Sequence, residues 1–155
     1  MKISHRELNE FYSHPPSIAQ LAGDLKDDRG KKKGEVLVIL PSYHDNNRLK
    51  SMFGALKKQK VQNFDVVVIY GLEDQFVPSQ GLPVLHIRRK EDFGFAGAVY
   101  LGQKIAFQDG YRYYFATDID RQPYDARSIG VLYGEAEKYG LDYVAGALHN
   151  VQLQT

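Results

Sequence analysis

Apolar runs alternate with segments of helical periodicity from residue 35 onward. The runs cover residues 35–40 (EVLVIL), 64–70 (FDVVVIY), 84–88 (VLHIR), 112–117 (RYYFAT) and 142–148 (DYVAGAL). Continuous apolar runs rich in β-branched residues are typical of parallel strands that are buried on both faces. Because helical segments separate the runs, the pattern predicts an α/β fold with right-handed crossovers and a mainly parallel sheet.

Three helices are predicted between these strands. The first carries an apolar stripe at i, i+3, i+4 and i+7, formed by Leu49, Met52, Phe53 and Leu56, with Asp45 or Asn46 as its N-cap. The second presents Ala98, Leu101 and Ile105 to the core and stops at Gly110. The third is predicted over residues 123–139, ends at Gly140, and has an inward stripe of Ala126, Ile129, Leu132, Ala136 and Tyr139.

Residues 1–34 do not continue this pattern. They contain a short amphipathic piece, a break at Pro15 and Pro16, a second predicted helix over residues 17–28, and the polar run DDRGKKKG. We predict an N-terminal helical appendage and linker over residues 1–34, followed by the main domain over residues 35–155. The lysines at 31–33 are interpreted as a solvated linker, and contact with phosphate or acidic lipid is the alternative.

Composition narrows the classes of function. The 155 residues include 20 Lys and Arg against 19 Asp and Glu, and the net charge of +1 gives no general attraction to nucleic acid. The chain has no cysteine, which excludes disulfides, thiolate metal sites and a cysteine nucleophile. The N-terminal residues lack a long apolar core, so we predict no signal peptide and no transmembrane segment. A cytoplasmic location is expected, with peripheral contact to a membrane as the alternative.

The glycines near residue 100 do not form a recognised nucleotide motif. Gly94, Gly97 and Gly102 follow the third predicted strand, whereas a dinucleotide fingerprint lies between the first strand and its helix. Gly97 and Gly102 have P-loop spacing, but Gln103 occupies the position of the P-loop lysine. Close helix packing and direct contact with a ligand both remain open as reasons for these glycines.

Two aspartates follow the apolar run at residues 112–117. Asp118 and Asp120 would lie at the carboxyl end of a buried strand, which is where open α/β sheets bind ligands. Capping of the next helix is the alternative. Carboxylates without softer ligands suit Mg²⁺ or Mn²⁺, which commonly bind substrate phosphates as well. A diphosphate ligand would explain both this pair and a basic cluster on neighbouring loops, formed by Arg88, Arg89, Lys90 and Arg121.

Three segments in this order resemble the family 2 glycosyltransferases of the GT-A fold. They are VLVILPSYHDNNRL, which resembles the opening strand and its P-[ST]-Y-N loop, FGFAGAVYLGQKIA, which resembles a glycine segment of rhamnosyl- and galactofuranosyltransferase-like members, and FATDIDRQP, which resembles the D-x-D motif. The match spans about residues 36–148. It implies a Rossmann-like, three-layer α/β/α domain with a mainly parallel sheet.

The resemblance also implies a function and a set of site residues. Asp120, helped by Asp118, would bind Mn²⁺ or Mg²⁺, and a UDP-, dTDP- or GDP-linked sugar would be transferred, with inversion, to a hydroxyl of an acceptor such as a glycan or a lipid-linked sugar. Polysaccharide biosynthesis would be the setting. The residues implied to bind the nucleotide sugar are Pro41, Ser42, Tyr43, Glu73, Arg88, Lys90, Gly94, Gly97 and Asp118.

The chain departs from the family pattern in three respects. In the glycine segment, Tyr100 or its neighbour replaces the expected asparagine, and His44 stands where asparagine is common in the first loop. After the second strand the chain has Tyr70 and Gly71 where an acidic pair is common, and acid appears only at Glu73 and Asp74. The family also carries an acceptor-binding half with the catalytic base, which we expect beyond Thr155; no catalytic residue is therefore assigned within the chain. We expect a truncated nucleotide-sugar half that associates into dimers or larger species. A non-catalytic nucleotide-binding module is the alternative function.

Overall fold

The structure is a computed structural model that describes residue 13, residues 16–119 and residues 126–140. Its helices are α1 (Ile18–Leu21), α2 (Asn46–Lys57), α3 (Gly94–Gln108) and α4 (Ser128–Tyr139). Its strands are β1 (Ala22–Asp27), β2 (Val36–Pro41), β3 (Phe64–Tyr70), β4 (Val84–Arg89) and β5 (Tyr113–Ala116). No helix in the described ranges is long and apolar enough to cross a membrane.

The five strands form one sheet in the order β1-β4-β3-β2-β5. Strands β2 to β5 are mutually parallel along this order, and β1 pairs antiparallel with the outer edge of β4. The chain proceeds from β2 to β3 and β4 on one side and then crosses to β5 on the other side. The carboxyl ends of β2 and β5 therefore flank the topological switch point, where α/β sheets bind their ligands.

Strands β2 and β3 are buried along their whole length because helices cover both faces of the sheet. On one face, Val36, Val38 and Leu40 pack with the apolar stripe of α2. On the other face, Leu37 and Ile39 pack with Ala98, Leu101 and Ile105 of α3. The predicted stripes of α2 and α3 are confirmed as buried, and the three-layer, Rossmann-like α/β architecture is confirmed with them.

Residues 17–28 do not form the single helix that the sequence predicted. The helical part is only α1, where the Ser17 hydroxyl and the Gln20 side chain form a capping box. The chain then extends into β1, where Leu25 pairs with Ile87 and Asp27 with Leu85. Pairing satisfies the backbone groups on the free edge of β4, and this outweighs the weak strand propensity of the sequence AGDLKD. The boundary between residues 34 and 35 stays a prediction, although β1 belongs to the same sheet.

The polar run after β1 is more ordered than a solvated linker. The Lys33 amine donates hydrogen bonds to the carbonyl oxygens of Asp109 and Gly110, immediately after α3. Arg29 bonds the carboxylates of Asp27 and Asp109, both at 2.8 Å. A cation at the C-terminal end of a helix is favourable because the last carbonyl groups point toward it. Lys31 and Lys32 are exposed, as predicted.

Helix α4 begins later than the sequence predicted. Its first residue is Ser128, residues 126 and 127 form a turn, and residues 123–125 lie outside the described part of the chain. Ile129 and Ala136 are buried as expected, but Tyr139 is 59% exposed and does not belong to the stripe. Gly140 ends the helix with φ +60°, as predicted. The predicted strand at 142–148 and the amphipathic piece at 1–12 also lie outside the described residues.

Candidate functional site

A cleft of about 220 Å³ opens at the carboxyl ends of β2, β3 and β4. The loop after β2, the loop after β3 and the segment between β4 and α3 form its walls. Its lining residues are Tyr43, His44, Gly71, Leu72, Glu73, Arg89 and Asp92. This is the end of the sheet at which the sequence predicted a ligand.

Arg89 lies in the floor of the cleft and is only 5% exposed. Its Nε donates to the Tyr70 carbonyl oxygen at 3.0 Å, and its Nη2 donates to the Ser42 carbonyl oxygen at 3.1 Å. Its Nη1 donates to the Gly94 carbonyl oxygen at 3.4 Å. One guanidinium therefore joins the ends of β2 and β3 to the start of α3, using the fixed fork of donors that only arginine has.

The charge of Arg89 is only partly balanced. Burial lowers the pKa of Arg89, and the nearby carboxylates of Asp92 and Asp74 oppose that shift. The Asp92 carboxylate lies 3.6 Å from Nη1 and is itself 41% exposed. The rings of Tyr43 and Phe93 each have their centroids 5.9 Å from the guanidinium carbon. The lining of the cleft thus combines the buried Arg89 guanidinium with the exposed carboxylates of Asp92 and Glu73.

Asp74 ties two walls of the cleft together. Its Oδ2 accepts from the backbone N–H groups of His44 and Gly71, each at 3.0 Å, and its Oδ1 lies 2.5 Å from His44 Nδ1. Burial alone would raise the pKa of Asp74, but the hydrogen bonds from His44 and Gly71 outweigh it and lower the pKa. The carboxylate is thus engaged on both oxygens within the protein.

Arg88 and Lys90, which the sequence assigned to the ligand, use their side chains elsewhere. Arg88 Nε donates to the Asp74 carbonyl oxygen at 2.9 Å, and its Nη1 bonds Asp24 at 2.5 Å. Lys90 Nζ donates to the Ala19 carbonyl oxygen at 2.7 Å. Arg89, between them, is the residue of this basic run that lines the cleft. The period of two along a strand would have indicated this, because Arg89 follows Leu85 and Ile87 on one face.

The other predicted residues near β2 and β3 lie at or beside the cleft. Tyr43 and Glu73 line it with exposed side chains. Pro41 ends β2 opposite Ile69, and the Ser42 N–H donates to the Ile69 carbonyl oxygen at 2.9 Å. The Ser42 hydroxyl is buried and has no hydrogen-bond partner among the described residues. Their contact with a nucleotide sugar stays a prediction.

The structure gives packing or backbone reasons for the glycines of α3, a question that the sequence left open. Gly94 has φ +70° and starts the helix, with its N–H donating to Asp92 Oδ1 at 3.1 Å. A Cβ at Gly97 would come within 2.2 Å of the Phe93 ring, and one at Gly102 within 2.4 Å of Ile39. Close packing therefore accounts for Gly97 and Gly102. Direct contact of Gly94 or Gly97 with a ligand stays a prediction.

Asp118 follows the carboxyl end of β5, two residues after its last strand residue, and is half-buried. The preceding residue, Thr117, donates its N–H to the Ile39 carbonyl oxygen at 3.2 Å, so Asp118 stands beside the end of β2 at the switch point. Asp120, the other predicted metal ligand, lies outside the described residues. Within the described residues, no group of three or more His, Asp and Glu side chains could hold a metal ion.

Comparison with known proteins supports the fold. No protein-family model matches the chain, and no curated protein matches it. A solved structure of the mannosyltransferase PcManGT from Pyrobaculum calidifontis, in complex with GDP-Man and Mn²⁺, is similar with a TM-score of 0.51 and 14% sequence identity. The match covers 72% of this chain and 35% of that chain, so this chain spans about a third of the length of the mannosyltransferase. The likeness shows a glycosyltransferase-like fold of the Rossmann type.

Proposed function

We propose that this chain binds a nucleotide-sugar donor and forms the donor-binding part of a glycosyltransferase. The observation that carries the proposal is the position of Arg89: a buried cation with an incomplete ion pair lies in a cleft at the carboxyl ends of β2, β3 and β4. A glycosyltransferase-like sheet with a cation at this edge is suited to a ligand that carries phosphate charge.

The walls of the cleft offer the other contacts that a nucleoside diphosphate needs. The Tyr43 ring is 58% exposed and provides a flat apolar surface for a base or a ribose. Glu73 is exposed on the opposite wall and provides a hydrogen-bond acceptor. Asp74 is already bonded to His44 and Gly71, so Glu73 is the acid on this wall that remains for the ligand. A UDP-, dTDP- or GDP-linked donor fits this description equally.

A divalent ion, Mn²⁺ or Mg²⁺, belongs to the proposal. Asp118 stands at the switch point and Asp120 is two residues further along, and oxygen ligands of this kind bind Mn²⁺ or Mg²⁺ together with phosphate oxygens. When bound, the ion would act as a Lewis acid that stabilises the departing diphosphate. The role of the protein in this scheme is to hold the diphosphate between Asp118 and the cleft that contains Arg89.

The complete reaction in this proposal is transfer of the sugar to a hydroxyl group of an acceptor, with inversion, as the resemblance to family 2 implies. Such a displacement needs a base within hydrogen-bond reach of the attacking hydroxyl. We assign that role to no residue of this chain. The second candidate, nucleotide binding without catalysis, is favoured by the engagement of Asp74, the buried acid beside the cleft, in bonds within the protein.

Thermal unfolding with GDP, UDP and dTDP, with and without Mn²⁺, tests the proposal. A ligand at about a hundred times its Kd should stabilise the fold by roughly 2.7 kcal/mol. The Asp118→Asn and Asp120→Asn variants should lose the part of this stabilisation that depends on Mn²⁺. Asp109→Asn is a matched control, because Asp109 bonds Arg29 just after the end of α3. If no nucleoside diphosphate stabilises the wild-type protein, the proposed function is wrong.

A further inference from the structure

The loop over residues 71–83, between β3 and β4, forms one wall of the cleft. It contributes Gly71, Leu72 and Glu73 to the lining, and it contains neither a helix nor a strand. A loop of this length usually needs side-chain contacts to hold one conformation. The contacts that hold this loop come from β3, β4 and the N-terminal strand β1.

A continuous chain of hydrogen bonds runs beneath the loop. The Val77 N–H donates to the Tyr70 hydroxyl at 3.1 Å, and that hydroxyl lies 2.7 Å from His86 Nδ1. His86 Nε2 lies 2.7 Å from the Ser79 hydroxyl, which donates to Asp28 Oδ2 at 2.6 Å. His86 is completely buried, so its two ring nitrogens depend on these partners.

One arrangement of protons satisfies every member of this chain. Asp28, as a carboxylate, only accepts, so the Ser79 hydroxyl donates its hydrogen bond to Asp28 and must accept one from His86 Nε2–H. His86 Nδ1 then accepts a hydrogen bond from the Tyr70 hydroxyl, while the Tyr70 oxygen accepts one from the Val77 N–H. The imidazole is thereby neutral with its proton on Nε2, and burial, which lowers the pKa of His86, favours the same state.

Arg88 provides a second tie to the same loop. Its Nε donates to the Asp74 carbonyl oxygen, and its Nη1 bonds Asp24 of β1. Its guanidinium carbon also lies 4.9 Å from the centroid of the Phe76 ring. Phe76 in turn packs against Tyr70 and His86, with ring centroids at 5.0 and 5.4 Å. Both ties therefore end on the β1 side of the sheet, one at Asp24 and one at Asp28.

We propose that Tyr70, His86 and Arg88 are positioning residues that anchor the 71–83 loop to β1, so that the N-terminal strand helps to set the shape of the donor cleft. This inference rests on the proposed function for its ligand. The anchoring itself rests only on the contacts of the loop. Under this proposal, β1 contributes to the shape of the site.

The test compares two tyrosine hydroxyls. Tyr70→Phe removes the hydroxyl that bonds His86 and Val77. Tyr111→Phe removes a hydroxyl that bonds Asp65 at 2.6 Å and Arg29, near the start of β3 and away from the cleft. Ser79→Ala is a second variant that breaks the same series of hydrogen bonds, because it removes the hydroxyl of a residue in the loop itself. It replaces Tyr70→Phe in the test if Tyr70→Phe fails to fold. Urea unfolding measures the global stability of each variant, so that changes in exchange and in affinity can be separated from a general loss of stability.

Hydrogen exchange of the loop amides is the readout that needs no ligand, and GDP binding with Mn²⁺ is the second readout. The two amides to follow are those of Val77 and of Leu82, whose N–H donates to the Ser79 carbonyl oxygen at 3.0 Å. In Tyr70→Phe and Ser79→Ala, both should exchange faster, and the Kd for GDP should rise roughly fivefold or more, as expected for loss of one buried hydrogen bond. Tyr111→Phe should change neither the exchange of the loop amides nor the Kd for GDP, apart from any change that follows from its global stability.

Unchanged exchange of the loop amides in both Tyr70→Phe and Ser79→Ala would show that these hydrogen bonds do not anchor the loop. Faster exchange with unchanged GDP affinity would show that the anchored loop does not shape the cleft. If wild-type protein binds no nucleoside diphosphate, the proposed function fails, and the exchange measurement alone then decides whether β1 anchors the loop.

Discussion

His44 Nδ1 lies 2.5 Å from Asp74 Oδ1, and this contact joins the loop after β2 to the loop after β3 at the mouth of the cleft. The backbone of His44 has φ +50°, a conformation that residues other than glycine seldom adopt and that costs energy. The hydrogen bond from the His44 N–H to Asp74 Oδ2 helps to offset that cost. Asp74 is therefore the residue on which the geometry of both walls depends.

Asp74→Ala should destabilise the fold and widen the cleft. The substitution leaves the Gly71 and His44 N–H groups without their acceptor, so we expect a loss of roughly 2–4 kcal/mol in urea unfolding. Asp74→Asn, which keeps one acceptor oxygen, should lose less. Because the folded pKa of Asp74 lies below its ordinary 3.8, its stabilisation is present above that value and is lost as the pH falls through the folded pKa. Equal stability of the Ala and Asn variants would contradict this role.

Arg89→Lys should fail to replace arginine although it keeps the positive charge. A lysine amine cannot reach the Tyr70 and Ser42 carbonyl oxygens with the geometry of a planar fork. We expect a loss of roughly 2–4 kcal/mol in unfolding free energy, because buried carbonyl groups lose their donors, and a large loss of nucleotide affinity in calorimetry. Arg29→Lys is the matched control, since Arg29 bonds Asp27 and Asp109 and does not line the cleft. If Arg89→Lys binds nucleotide as well as the wild type, the floor of the cleft is not where the anion binds.

Two glycine substitutions should have opposite effects. A Cβ at Gly102 would come within 2.4 Å of Ile39, so Gly102→Ala should push α3 away from β2 and destabilise the fold by roughly 1–3 kcal/mol. At Gly54, within α2, an added Cβ meets no atom within 4 Å. Gly54→Ala should therefore raise stability by roughly 0.5–1 kcal/mol through helix propensity. Urea unfolding of both variants measures the two changes in stability. A Gly102→Ala protein as stable as the wild type would show that α3 and β2 leave room for a Cβ beside Ile39.

His86 should make the protein less stable in mild acid. Its folded pKa lies below the ordinary value of 6.5 because the ring is buried, with Tyr70, Ser79, Asp28 and Lys26 as the polar groups around it. The unfolded chain binds a proton first, so this stabilisation is complete above pH 6.5 and decreases as the pH falls below it. Unfolding measured between about pH 8 and about pH 5 should show the decrease.

Nitrogen NMR of the imidazole gives an independent check on His86. We expect a neutral ring with its proton on Nε2 while the protein is folded at pH values just below 6.5. A proton on Nδ1 at the same pH would overturn the order of hydrogen bonds that connects Tyr70 to Asp28.

The sequence predicted the parts of the fold that depend on local periodicity. The buried runs of β2 and β3 and the stripe of α2 were identified because burial on one or both faces leaves a clear apolar pattern. β1 was missed because its sequence is polar and its strand conformation depends on the edge of β4, which lies far along the chain.

The sequence indicated the carboxyl ends of the strands, where the cleft lies, but which residues bind a ligand there stays a prediction. Asp118 and Tyr43 follow strand ends, which the order of elements locates without any knowledge of contacts. The separate roles of Arg88 and Arg89 depend on which face of β4 each occupies, and that is set by the register with β3. The bond between His44 and Asp74 joins two loops, and no spacing rule within one segment can indicate it. The expected association into dimers stays a prediction.

The pairing of β1 with β4 has a consequence for how the chain folds during synthesis. Ala22 pairs with Arg89 and Asp27 with Leu85, so β1 leaves the ribosome long before its partner exists. At roughly 5–20 residues per second, the wait lasts several seconds. A polar sequence with Asp24, Lys26 and Asp27 suits that interval, because an apolar strand left unpaired would associate with other nascent chains. The charged residues that kept β1 from being predicted as a strand are the same residues that disfavour its association with other chains before β4 is synthesised.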